Sequence, residues 1–136
     1  MSAPASYDYA IIRVVPRVDR EEFINAGVIV FCRTRRFLGA RVALDRARLA
    51  ALAPSADPEE IVLHLESIPL ICAGAGPIGA LSLAERFHWL VAPRSTIIQT
   101  SAVHSGLCTD PAAALDHLLE TMVGPVDIQE PAGRSE

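Results

Sequence analysis

The chain contains no lysine; all twelve of its basic residues are arginines. Aromatic residues make up only 5% of it. Its three cysteines, Cys32, Cys72 and Cys108, are odd in number and never stand as CxxC, so no disulfide framework or cysteine zinc site can be read from them. The four histidines, His64, His88, His104 and His117, fall in neither HxxxH nor HExxH spacing, and no metal site is legible. No uninterrupted apolar run approaches the roughly 20 residues that span a bilayer. The opening MSAPASYDY has neither the basic nor the apolar region of a secretory leader. Together these absences predict a cytoplasmic chain with no metal, cofactor or membrane span, its three thiols free and buried.

What is present is apolar substance. Of 136 residues, 51% are hydrophobic and 21% charged, which describes one globular domain able to bury a core without staples. The net charge of −4 is unevenly placed: residues 1–50 hold nine arginines against five acids, residues 51–136 three against eleven. Such asymmetry accompanies nucleic-acid or acidic-partner binding; the absence of lysine by itself also follows from GC-rich codon usage.

The chain is organised around Tyr7–Arg33. Tyr7–Val15 and Gly27–Cys32 are apolar on both parities, as strands covered on both faces are. Pro16 ends the first. Between them, Asp19 and Glu22 have capping-box spacing, and Asn25 with Gly27 suggests a sharp re-entry. Arg33-Thr34-Arg35-Arg36 forms a basic turn into Phe37–Leu44, which alternates like a half-exposed strand and predicts a hairpin. Helices are expected at 46–52, 58–72, 83–90 and 111–123. Asp45, Asp57, Ser82 with Glu85, and Asp110 supply their starts. Pro69 ends or kinks the second. The stretch Ala73–Ala80, AGAGPIGA, matches neither GxGxxG nor GxxxxGK[ST] and reads as a loop. Thr96–Val103 is a fourth strand and His104–Thr109 a loop. Residues 1–6 and 124–136 are expected to be disordered ends around a domain at 7–123.

Two long stretches, YDYAIIRVVPRVDREEFINAGVIVF and PIGALSLAERFHWLVAPRSTIIQTS, are followed by HSGLCTDP and a final LL-x-x-MV. In combination they resemble the bacterial family Domain of Unknown Function 3037, over about Tyr7 to Val123. The resemblance implies a small cytoplasmic bacterial protein and, through gene neighbourhood, a HipA-like kinase as a partner to consider. It assigns no residue a role.

The polar residues set inside apolar or structured runs are Arg13, Asn25, Arg86, Arg94, Ser95 and Gln99. Arg13 in a both-faces-apolar strand needs a partner or water. It either pairs with Asp8, Asp19 or Glu85 or caps carbonyls, the leading reading, or presents its fork to a phosphate or carboxylate. Arg94-Ser95 divides the same way between an anion site and a tied loop, and Asn25 reads as a turn residue. His104 and Cys108 are the nearest nucleophile–base pair, but no orienting third member accompanies them. Glu21-Glu22 and Glu59-Glu60 suit helix starts. Arg17, Arg20, Arg33, Arg35, Arg36 and Arg41 offer a footprint for phosphates, without a recognition motif.

The reading is an α+β fold: a mainly antiparallel sheet of about four strands, covered by helices on one face. No catalytic set is complete. The function expected is that of a non-catalytic accessory or regulatory protein acting through a protein partner, with Arg33, Arg35 and Arg36 as an exposed basic knob. The alternative is an anion- or nucleic-acid-binding protein or enzyme, with Arg13, Arg86, Arg94, Ser95 and Gln99 around an anion.

Overall fold

The computed structural model describes residues 3–124. The expected disorder of the C-terminal tail therefore lies outside the described residues. Five strands form one antiparallel sheet: β1 (Ala5–Val14), β2 (Ile24–Cys32), β3 (Phe37–Val42), β4 (Ile98–Thr100) and β5 (His104–Cys108). The order is β3-β2-β1-β4, and β5 also pairs with β1. One side of β1 is therefore shared, with its N-terminal half on β5 and its C-terminal half on β4. Helices α1 (Arg46–Leu52), α2 (Pro58–Cys72), α4 (Leu83–Val91) and α5 (Pro111–Met122) accompany it, with a single-turn helix α3 (Gly76–Gly79).

The predicted α+β class stands, with two revisions to the sheet. His104–Cys108 is a strand, not a loop. Its composition, HSGLC, carries little strand signal, and pairing with Ala5–Tyr9 decides its conformation. Gly106 makes room there, since a Cβ would stand 2.8 Å from the Tyr7 hydroxyl oxygen. The fourth strand shrinks to Ile98–Thr100. Thr96 Oγ1 donates to the Ile98 carbonyl at 2.8 Å and Gln99 Nε2 to the Thr96 carbonyl at 2.8 Å, which curls the approach. Beyond it, the Ser101 hydroxyl accepts from Ile11 N at 2.9 Å. β1 also starts two residues before the expected Tyr7.

Helices cover both faces of the sheet, not one. Ile12, Val14, Ile29 and Phe31 point to α1, α2 and α4 and pack with Leu49, Ile61, Leu65, Ile68, Phe87 and Leu90. Ile11, Val28 and Val30 point to α5 and meet Leu115, Leu118 and Val123. The both-parity apolar pattern of β1 and β2 is the signature of this double coverage. Helix α5 packs chiefly on β2 and β3.

A bulge reconciles the two strands. Ile12 opposes Gly27 and Arg13 opposes Asn25, leaving Ala26 as the extra residue. Gly27 is required here because a Cβ would lie 2.6 Å from the Arg41 carbonyl oxygen. Asn25 thus lies inside β2 rather than at a turn, and the left-handed residue of the connector is Glu21 (φ 57°). Asp19 and Glu22 form no capping box. They pair with Arg17 and Arg20 around a 3-10 turn at Val18–Arg20. The starts at Asp45, Asp57 and Asp110 form as expected, and Ser82 with Glu85 closes a full capping box.

Helix α2 runs through Pro69 to Cys72. The segment Pro58–Gly79, 22 residues, is long and apolar enough by length and composition to cross a membrane. An uninterrupted-run criterion missed it because Glu66 and Ser67 sit inside it. In the fold it is two helices separated near Gly74 (φ 104°), with Ile61, Leu65, Ile68 and Cys72 buried. Gly79 closes on Gly74, where a Cβ would stand 2.3 Å from the Gly74 carbonyl carbon. That contact accounts for two of the three glycines in this stretch.

Candidate functional site

A groove of about 560 Å³ opens between α2, α4 and the segment entering β4. Its apolar lining is Ile68, Ile71, Trp89, Leu90, Ile97 and Ile98. His64, Ser67, Arg94, Thr96, Gln99 and Thr100 supply the polar lining. Several of these polar groups already have backbone partners. Ser67 Oγ donates to the His64 carbonyl at 2.7 Å, and Thr96 and Gln99 close on their own turn. The groove therefore offers apolar surface more than hydrogen-bonding capacity. Trp89 is 42% exposed. On the adjoining side of α2, Leu63 and Leu70 are 71% and 58% exposed. They are seven residues apart, so they share one helical stripe, next to the positions of Ser67 and Ile71.

The predicted arginine cluster does not converge. Arg86 donates through Nε to the Leu81 carbonyl at 2.9 Å and through Nη1 to the Cys72 carbonyl at 2.8 Å. It thus ties the end of α2 to the start of α4. Arg94 donates to the Leu90 carbonyl at 3.0 Å and to the Trp89 carbonyl, and its guanidinium lies 4.5 Å from the Trp89 ring centroid. It caps the C-terminus of α4, where a cation meets the negative end of the helix. Ser95 is exposed in the segment between α4 and β4. Gln99 and Arg94 do share the groove, but both are engaged by backbone.

The basic turn is partly committed as well. Arg35 reaches the Thr109 and Ala3 carbonyls and clamps the N-terminal segment to the loop before α5. Arg33 lies over the Phe31 ring at 5.5 Å, and Arg36 holds a left-handed backbone (φ 51°). The exposed knob expected of three arginines is therefore two arginines and a clamp.

Arg13 pairs with none of the acids expected for it. Asp8 accepts from Ser105 Oγ at 2.9 Å, Asp19 pairs with Arg17, and Glu85 caps α4. Its guanidinium instead lies 4.1 Å from the Phe23 ring centroid.

No catalytic constellation forms among the described residues. His104 and Cys108 lie four residues apart on an extended strand, about 13 Å, and His104 sits against the Tyr9 ring at 5.4 Å. Burial pushes the Cys72 thiol up to about 12, and burial first, then its neighbour Cys32, raises Cys108. These are thiols with little nucleophilic character. Among the described residues, no group of three or more His, Cys, Asp or Glu side chains is placed to hold a metal.

The family model described as "Protein of unknown function (DUF3037)" matches residues 9–123. The chain belongs to the DUF3037 family. No curated protein and no solved structure matches it. The DUF3037 match spans β1 through α5, so it contains the groove, its flanking leucines and every arginine described above.

The residues that shape the groove were largely missed by sequence reasoning. Trp89 carries no sequence signal beyond an apolar position on a short helix. Leu63 and Leu70 fall off the buried stripe Ile61–Leu65–Ile68, and that offset was the available signal: apolar residues at heptad spacing on the outward side of a helix.

Proposed function

We propose that this DUF3037 chain is a non-catalytic accessory protein that binds a protein partner through the α2–α4 groove. The observation that carries the reading is the apolar strip running from Leu63 and Leu70 into Ile71, Trp89 and Ile97. Contiguous exposed apolar surface marks interaction sites, and tryptophan in a concave apolar patch is a preferred anchor. The arginines support it from the other direction, because Arg35, Arg86 and Arg94 hold carbonyls of the fold rather than facing a substrate. The partner that the family resemblance implies, a HipA-like kinase, is the first to test. Arg33 and Arg36 form a separate positive surface that would steer an acidic partner.

The test is coexpression with that kinase followed by size exclusion. The two proteins should co-elute, and Leu63→Glu with Leu70→Glu should separate them while leaving the unfolding free energy within the small range typical of surface changes, about ±0.5 kcal/mol. Separate elution of the wild-type proteins at micromolar concentration, with turnover of a small molecule by the isolated chain, would replace this reading with the enzyme reading.

A further inference from the structure

The α5 face carries a second feature, which meets the groove only at Gln99. Backbone register sets Asn25, Arg13 and Gln99 side by side on β2, β1 and β4. Arg13 Nε is buried without a hydrogen-bond acceptor, and among the described residues no acid lies within ion-pair distance of its guanidinium. Phe23, 44% exposed, holds the guanidinium plane from one side at 4.1 Å. Contact with the ring uses no N–H group, so the Nη1–Nη2 edge keeps its capacity for a bidentate acceptor while Nε stays buried.

We propose that Arg13 is the recognition residue of an anion site that takes a carboxylate. The surroundings select the charge. Asn25 Nδ2 donates to the Met122 carbonyl at 3.0 Å, which brings the C-terminal end of α5 to this corner. That end carries partial negative charge. Asn25 Oδ1, on the residue paired with Arg13, is a buried acceptor without a donor. Both acceptors oppose an anion, a dianion more than a monoanion, and the guanidinium fork matches a planar carboxylate. A phosphate dianion would need further donors, which no other cation in the row supplies. The carboxylate can come from a small organic acid or from an acidic side chain of a protein.

The test uses the Nε–Hε resonance of Arg13 in the 15N-labelled full chain, assigned by its loss in Arg13→Gln. Sodium acetate, sodium phosphate and a hexaglutamate peptide are titrated at constant ionic strength, against sodium chloride as the blank. Acetate should shift the resonance saturably, with phosphate weaker by about tenfold or more. Hexaglutamate tighter than acetate by about tenfold would assign the carboxylate to a protein segment, and equal affinity per carboxylate would assign it to a small acid. Gln99→Glu places a carboxylate one strand away, so it should move the same resonance without ligand and weaken acetate by about tenfold. The Gln99→Glu chain keeps Arg13, and where Arg13→Gln does not fold, Arg13→Lys, which also lacks the guanidinium Nε–Hε, supplies the assignment. A shift no different from chloride, tighter binding of phosphate than of acetate, or a Gln99→Glu chain that binds acetate like wild type would overturn the proposal.

Discussion

The two faces of the sheet use arginine differently. On the α2–α4 face, Arg86 and Arg94 point at helix ends and are held by carbonyls that would otherwise lack donors. On the α5 face, Arg41 pairs with Asp116 of α5, whereas Arg13 has an aromatic ring and no carbonyl or acid. The difference comes from what lies nearby. α2, α3 and α4 are joined by short connections, so two helix ends stand within reach of one guanidinium. The single helix α5 lies chiefly over β2 and β3 and reaches the Arg13 row only at its C-terminal end, where Asn25 meets the Met122 carbonyl.

The core layers give the largest expected effect. Leu65 and Leu118 are each buried under one face. Leu65→Ala should cost about 3–5 kcal/mol and Leu118→Ala about 2–3 kcal/mol in chemical denaturation, because the smaller α5 cluster relaxes more easily around a cavity. Equal losses would erase the asymmetry between the layers.

The arginines sharpen it. Arg86→Ala removes two charge-assisted bonds to carbonyls and should destabilise by roughly 2–3 kcal/mol. Arg13→Ala removes one stacked cation at a partly exposed ring and should cost no more than about 1 kcal/mol. Thermal melts of the pair check this. An Arg13→Ala loss as large as that of Arg86→Ala would show that Arg13 is structural after all.

A smaller effect appears with acid. Glu85 is held below the ordinary glutamate range by the Ser82 backbone N–H and then the Ser82 hydroxyl; Asp19 and Glu22 are held low by Arg17 and Arg20. Their folded values lie below their unfolded ones. The stability they add is therefore present above the unfolded value, about 4 for these groups, and is lost as pH falls through the folded value. Denaturation midpoints should be flat from neutral pH to about 5 and then decline. In Glu85→Gln that decline should be shallower, and an unchanged acid slope would remove the capping box from this account.

Much of this fold was legible. The two-faced apolar strands, the hairpin at Arg33–Arg36 and the starts at Asp45, Asp57, Ser82 and Asp110 all rest on local patterns that the fold keeps. What was not legible was non-local. Double coverage was implied by Ile11 and Ile12 lying on opposite parities, yet helix placement depends on the whole chain. β5 depends on pairing along Ala5–Tyr9, which no property of His104–Cys108 announces. The roles of Arg86 and Arg35 depend on carbonyls 14 and 74 residues away. Their sequence context shows only that they are charged.

The most direct test of the central claim is hydrogen exchange of the full chain with and without the HipA-like kinase. Binding through the groove predicts new protection in Pro58–Cys72, Leu83–Val91 and residues 94–100, with α5 and the Arg33–Arg36 turn unchanged. Protection centred on that turn or on α5, or none anywhere at saturating kinase, would contradict it.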